Sequence, residues 1–519
     1  MNLLTKRIKP FLLFTVIICG LAACKKVLND PFVPEAPLAK SITEFKFEAS
    51  LNKDFLSETI NGEISGDTIK ISLPEELNCR TLIASFKYEG RLVSVNDVKQ
   101  YSGISVNNFE KPLIYSVMAD DGSERNFFIQ TALIPEVRQA VPHIYIVTDG
   151  NTPITSKESY LKADIRIDGK GTFENYEGRT SIKGRGNTTW RGYPKKPYRL
   201  KLDTKAPLLG FSPEKDWILL ANYLDESLMC NAAAMKIGRL LEMPFTNHII
   251  PVDLTVNGVY LGNYMFTEQK EVEDNRINVG KDGVWLELDM QYDEDFKFRS
   301  DHIQLPVMIQ YPDLGKLAPT EAGGRLAQIQ ADFNLLEASL MDASFPNNNY
   351  RQYLDIESVA NYIIANTLAD NREIGWPKSV LLYKTATGKY TFGPIWDFDW
   401  GFGFDYGQMK HFVVGERPLI GNNNFGGTRL FSRLMQDPQV KRAITKKWIV
   451  FKSSSYPKLV KYLKDYNTAI SSSLQNDYQV WKRGSGDAFT ELTHMLNWLD
   501  RRVEYMDNLI GGWGFMGTP

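Results

Sequence analysis

Apolar residues in the first quarter of the chain alternate with polar ones at period two, and later they shift to helical spacing. Ile42, Phe45, Phe47 and Leu51 lead, and Ile69, Ile71 and Leu73 alternate cleanly. Leu82, Ala84, Phe86 and Tyr88 follow, then Leu113, Tyr115 and Val117, with an Asp121-Gly122 turn inside Ser116–Gln130. Short strands with turn signals and no helical period predict a small β-sandwich over residues 41–134. Pro135 and Pro142 mark a boundary, and a second region runs from 141 to 519.

That second region opens with strand patterns at His143 and Lys162–Asp168. A glycine-rich segment, Ser181–Asp203, follows. A helix is predicted over about Glu226–Glu242, ended by Pro244. Val252–Val256 and Tyr260–Glu268 read as a hairpin through Asn257-Gly258. A polar connection, Lys270–Asn275, leads to strands between Trp285 and Pro312. Ala322–Met341 and Asp355–Leu368 have helical patterns, with Asp355 as N-cap. A loop from Asp370 feeds a hairpin over Tyr383–Phe392, turning at Thr387-Gly388, and then the aromatic stretch Gly393–Gly403, GPIWDFDWGFG. A helical tail begins over Leu430–Trp448, and Thr490–Leu509 is the last amphipathic helix. The fold class is α+β.

Composition adds compartment and excludes one partner class. With 43% apolar and 24% charged residues the chain is ordinary for a globular protein. A net charge of −2 supplies no basic face, so nucleic acid is not an expected partner. At the N-terminus Lys6, Arg7 and Lys9 precede a short apolar run, Phe11–Ile18, and then Leu21-Ala22-Ala23-Cys24. This resembles a bacterial lipobox, which implies a lipoprotein signal peptide over 1–24 and lipidation of Cys24. Residues 25–40, with Pro31, Pro34 and Pro37, read as a tether. The expected location is the cell envelope, anchored to a membrane through lipid, with the outer membrane favoured. Cys79 and Cys230 fall in different regions and are expected as buried thiols without a disulfide.

Two stretches carry candidate chemistry. Asp397 and Asp399, two residues apart on an extended segment, can hold a hard cation such as Mg²⁺ or cap a turn. Ser181–Asp203 packs glycines with Lys183, Arg185, Arg191, Lys195, Lys196, Arg199 and Lys201. Alternation from Pro197 to Leu202 puts Tyr198, Leu200 and Leu202 on one face and Arg199 and Lys201 on the other. Such a strand suits a polyphosphate, or it is the solvated face of a hairpin. There is no H-E-x-x-H, no G-x-S-x-G and no metal spacing among the five histidines, so hydrolase chemistry has no support.

The ordered set GRGNTTW with KKPYRLKL, LLANY at Leu219–Tyr223, YLGNYMFTE at Tyr260–Glu268 and WDFD at Trp396–Asp399 resembles the CotH kinase family, atypical protein kinases related to spore coat protein H. The likeness runs from about Val141 to the C-terminus. It implies a two-lobed, atypical protein-kinase-like domain that binds ATP with Mg²⁺ (or Mn²⁺) and phosphorylates a protein hydroxyl. On the matching positions Asp370 is the catalytic aspartate and Asp397 the metal ligand, with Asp399 a second. Arg185, Lys196, Arg199 and Lys201 face the phosphates, the key lysine being either Lys196 or Lys201, and Glu268 stands near the base. Family members often carry an asparagine before the hairpin; here Trp376–Val380 reads WPKSV, and Asn371 is the nearest amide in sequence. The β-sandwich resembles the immunoglobulin-like modules of many Bacteroidota lipoproteins, which implies a spacer or docking role. The rival reading is a non-catalytic CotH-like surface binding or adhesion protein, associated with glycans through some of its 10 Trp and 24 Tyr.

Overall fold

A computed structural model describes residues 39–515, apart from 53–55, 57–58, 75–76, 78, 135, 274–275 and 422. The targeting stretch with Cys24 and nearly all of the 25–40 tether lie outside the described residues. The chain divides into two compact units. One contains Met1–Ser72 and Asn78–Ala132, the other Leu133–Pro519 with the short Leu73–Leu77.

The first unit is built from two larger sheets and a two-stranded ribbon. One sheet has the strand order Ile60–Asn61, Ser41–Phe47, Ser85–Glu89. The other runs Glu63–Ser65, Thr68–Pro74, Glu124–Ile134, Leu113–Met118, Leu92–Val95, Val98–Lys99. Phe45 and Phe86 from the first meet Tyr115 from the second edge-on, at 5.3 and 5.6 Å between ring centroids. The period-two residues Ile69 and Ile71 are buried.

The second unit begins with a closed barrel of seven strands. In spatial order these are His143–Thr148, Leu161–Asp168, Tyr176–Gly184, Tyr198–Ala206, Glu214–Leu220, Val259–Glu268 and Ile250–Val256. Ile144, Ile165, Leu200, Leu202, Trp217, Leu254 and Phe266 fill it. The barrel closes by a parallel pairing of His143–Ile146 with Asp253–Val256. Local pattern predicts the hairpin through Asn257-Gly258, but not a parallel partner across more than a hundred residues.

Beyond the barrel lies a five-stranded sheet in the order Lys297–Arg299, Pro306–Tyr311, Val284–Leu288, Val380–Lys384, Thr391–Phe392. Helices surround it: Cys230–Leu240, Pro319–Met341, Ile356–Leu368, Gly426–Leu434, Pro438–Val450, Tyr456–Trp481 and Ala488–Gly511. The first starts later than the expected Glu226 because Asp225 organises a turn there. Its carboxylate accepts from Ser227 N (3.0 Å) and Cys230 N (2.6 Å), and Leu228 takes φ 57°. Asp355 caps its helix as expected, accepting from Glu357 N. The helical tail beginning over Leu430–Trp448 opens with two helices, because Asp437 caps a second one with Pro438 in its first turn. Tyr456–Trp481, which sequence reading did not single out, runs along the barrel strand Val259–Glu268, where Asp477 Oδ2 accepts from Asn263 N. Cys79 and Cys230 are buried, and no disulfide joins the described cysteines. No helix of the described residues is long and apolar enough to cross a membrane.

Candidate functional site

The mouth of the site is a glycine turn. A Cβ on Gly184 would fall 2.3 Å from the Trp190 ring, and Gly186 has φ 81°, so both positions need glycine. The turn therefore lies close over a cavity of about 230 Å³ and delivers Arg185 to its wall. The Arg185 guanidinium sits 5.6 Å from the Trp396 ring, and Lys270 Nζ sits 5.0 Å from the same ring. Lys270 Nζ is 3.8 Å from Glu287 Oε1. Glu287 reaches the cavity because alternation along Val284–Leu288 turns Val284, Leu286 and Leu288 into the core. Burial pushes the pKa values of Arg185 and Lys270 down and that of Glu287 up, each opposed by the opposite charges nearby.

The facing wall is the WDFD segment. Asp397 adopts φ 64°, a left-handed conformation that Asp tolerates better than most residues. Asn231, on the buried helix Cys230–Leu240, grips the segment from behind. Its amide nitrogen donates to Asp399 Oδ1 at 2.9 Å and its oxygen accepts from Phe398 N at 3.2 Å. Lys378 Nζ lies 2.7 Å from Glu373 Oε1 and 3.6 Å from Asp397 Oδ2, with the Trp400 ring 4.6 Å away. Burial works against the Lys378 charge, yet Asp397 and Glu373 hold the ammonium well above its ordinary range. Glu373 is pushed up to about 8 by burial and by the charge of Asp397. Asp399 is pushed up to about 6 by the same two causes.

Asp399, raised by burial and by the neighbouring Asp397 charge, stands with Asp397 and Asp289 on the same cavity as an oxygen-rich set in which Lys378 is the nearest cation to Asp397. That donor set fits a hard divalent cation. Asp289 is itself fixed, its oxygens accepting from Gln291 N (2.7 Å) and Ser379 N (3.0 Å).

Of the residues expected from sequence, Arg185, Asp397 and Asp399 meet at this cavity. Five others do not line it. Lys196 turns away and donates to Trp190 O at 2.6 Å. Arg199 and Lys201 do share a face, but it is the outer face of the barrel, where Arg199 pairs with Asp216 at 2.7 Å and Lys201 is exposed. Glu268 accepts from the His248 backbone at 3.0 Å and lies 2.8 Å from its ring. Asp370 is fully buried and accepts from Arg417 Nε at 2.6 Å. Asn371 props the site from below, donating to Asp397 O at 3.3 Å and accepting from Glu373 N.

Sequence reading missed Lys270, Glu287 and Glu373. The alternation around Glu287 was a usable signal. Lys270 sat in a stretch read only as a polar connection, and nothing local announces that it meets Trp396, over a hundred residues on.

Comparison with known proteins adds one decisive match. The family model for the CotH kinase protein matches residues 182–506, more than half of the chain. The chain belongs to the CotH kinase protein family. The CotH match starts in the strand Tyr176–Gly184 and ends in the last helix, so it takes in every cavity residue named above. No curated protein matches the chain. Among solved structures, a candidate glycoside hydrolase from Bacteroides thetaiotaomicron is 13% identical and covers 55% of this chain and 76% of its own, with a TM-score of 0.15. A score that low carries no argument about fold or activity.

Proposed function

We propose that this CotH-family chain binds a nucleoside triphosphate such as ATP with a divalent cation, Mg²⁺ or Mn²⁺, and transfers the terminal phosphoryl group to a protein hydroxyl. One observation carries the reading: two cations, Arg185 and Lys270, flank Trp396 on the cavity that also holds Asp397 and Asp399. Arg185 and Lys270 suit the phosphates, with Glu287 holding Lys270 in place. Asp397 and Asp399 would hold the cation, which neutralises charge developing on the phosphate oxygens. In the transfer, the acceptor oxygen bonds to the terminal phosphorus and the bond from that phosphorus to the bridging oxygen breaks. The nucleoside diphosphate leaves, and the hydroxyl proton passes to a carboxylate. Glu373, with its raised proton affinity, is suited to take that proton. In this reading the barrel and the helical part act as the two lobes of a kinase-like domain. Export, lipidation at Cys24 and a spacer role for the N-terminal sheets belong to the same proposal and rest on sequence alone.

The test is phosphoryl transfer from terminally labelled ATP to a hydroxyl-bearing protein or to the chain itself, with Mn²⁺. Label incorporation that disappears in Lys270→Met supports the reading. Incorporation equal in Lys270→Met and the unaltered chain, or none in either, counts against it.

A further inference from the structure

Directly behind the WDFD segment lies a second group of ligating side chains, which the proposed function does not use. Asp225, Cys230 and His411 are all buried, and one ligand atom from each lies within 4.8 Å of the others. They come from three places: the turn before the buried helix, the first residue of that helix, and the loop that follows Gly393–Gly403. The His411 ring nitrogen Nε2 is 2.9 Å from the Asp399 carbonyl oxygen. Donation to that carbonyl puts the proton on Nε2 and leaves a lone pair on Nδ1. His411 Nδ1 is buried with no close hydrogen-bond partner among the described residues, although the Leu224 backbone also bears on the ring. The Asp225 carboxylate is held in place by Ser227 and Cys230 backbone N–H groups. Cys230 is fully buried beside it.

We propose that Asp225, Cys230 and His411 form a site for a borderline-soft transition metal, Zn²⁺, distinct from the hard-cation position at Asp397 and Asp399. A thiolate, an imidazole nitrogen and a single carboxylate are a zinc donor set and a poor one for Mg²⁺. Zinc ligands stand about 2.0–2.3 Å from the ion, so the three atoms close up slightly on binding, and the Cys230 thiol gives its proton to solvent. The bound ion ties the start of the buried helix to the loop after the WDFD segment. Asn231, next to Cys230, and the Asp399 carbonyl are thereby fixed, so the ion sets the shape of the cavity wall without touching a substrate. This does not rest on the proposed phosphotransfer.

The experiment uses the full chain, stripped with chelator and titrated with Co²⁺ as an optical stand-in, then with Zn²⁺. The expected result is one equivalent of Co²⁺ with tetrahedral d–d bands and a thiolate-to-cobalt charge-transfer band, both displaced by one equivalent of Zn²⁺. Cys230→Ser abolishes the charge-transfer band, and His411→Ala weakens binding by more than about tenfold. Cys79→Ser and Asp397→Asn retain the full spectrum. Circular dichroism checks that the variants fold; if Cys230→Ser does not, the unaltered chain still decides. Absence of the charge-transfer band there, or its persistence in a folded Cys230→Ser, overturns the proposal.

Discussion

Asp399 and Asp370 are both raised in pKa by burial, and both lie in segments with left-handed backbone, φ 64° at Asp397 and 50° at Asp370 itself. Their surroundings carry opposite charge. Asp370 is answered by Arg417 at 2.6 Å and by the positive charge of Arg502, which oppose the burial effect. Asp399 stands at the cavity wall next to another carboxylate, Asp397, which adds to the burial effect. A buried charge with cations to match is part of the scaffold. A carboxylate pair on a cavity wall that shares one ammonium, Lys378 at 3.6 Å from Asp397, is a candidate ligand site.

The largest effect expected from this contrast is on stability. Asp370→Ala leaves the buried Arg502 and the partly buried Arg417 without their carboxylate, and the folded state should lose about 3–5 kcal/mol in denaturant unfolding. Nucleotide affinity of the folded fraction should stay unchanged; a specific loss of binding without loss of stability would put Asp370 back in the site. Next is Lys270→Met, which removes a charge proposed to contact phosphate. Nucleotide affinity measured by calorimetry should fall about 10- to 100-fold, the equivalent of roughly 1.5–3 kcal/mol.

The third expectation concerns pH. Asp399, pushed up to about 6, keeps in the folded state a proton that the unfolded chain has already released. Its contribution therefore favours folding at low pH and is lost as pH rises through about 6. A divalent cation at Asp397 and Asp399 reverses the preference, because it binds the ionised pair. The difference in Tm between Mn²⁺-loaded and metal-free protein should grow between about pH 5 and 7. A difference that does not change with pH would remove Asp399 from the cation site. A smaller effect follows from Lys378, whose ammonium competes for Asp397 at 3.6 Å. Lys378→Met should tighten Mn²⁺ binding, by about tenfold or less. Arg199→Met should leave nucleotide affinity alone, since neither it nor its buried partner Asp216 lines the cavity, and its effect should appear in stability only.

Local pattern carried much of this. The two strands joined at Asn257-Gly258, the Asp355 cap and the opposed faces of Leu200 and Arg199 were legible because each depends on neighbours a few residues away. Which face becomes the site was not legible. Closing the barrel by parallel pairing at His143 and Asp253 turns Arg199 and Lys201 outward, and no stretch of sequence states that pairing. Asp370, expected as the catalytic aspartate, could not be told from a scaffold carboxylate until Arg417 and Arg502 are placed beside it. Asp397 stood out in the sequence through the D-x-D spacing taken together with the other family-like motifs, since that spacing alone equally suits a turn. Glu373 was missed because its raised proton affinity comes from Asp397, not from its own neighbours in the chain.

The central claim is that the Asp397–Asp399 pair makes the cavity a cation-dependent nucleotide site. The most direct measurement is ATP binding by isothermal calorimetry, with and without Mg²⁺, on the unaltered chain and on Asp397→Asn. Binding that requires Mg²⁺ and disappears in a stably folded Asp397→Asn is the expected result. Binding that is indifferent to both Mg²⁺ and the substitution, or no binding in the unaltered chain, would contradict it.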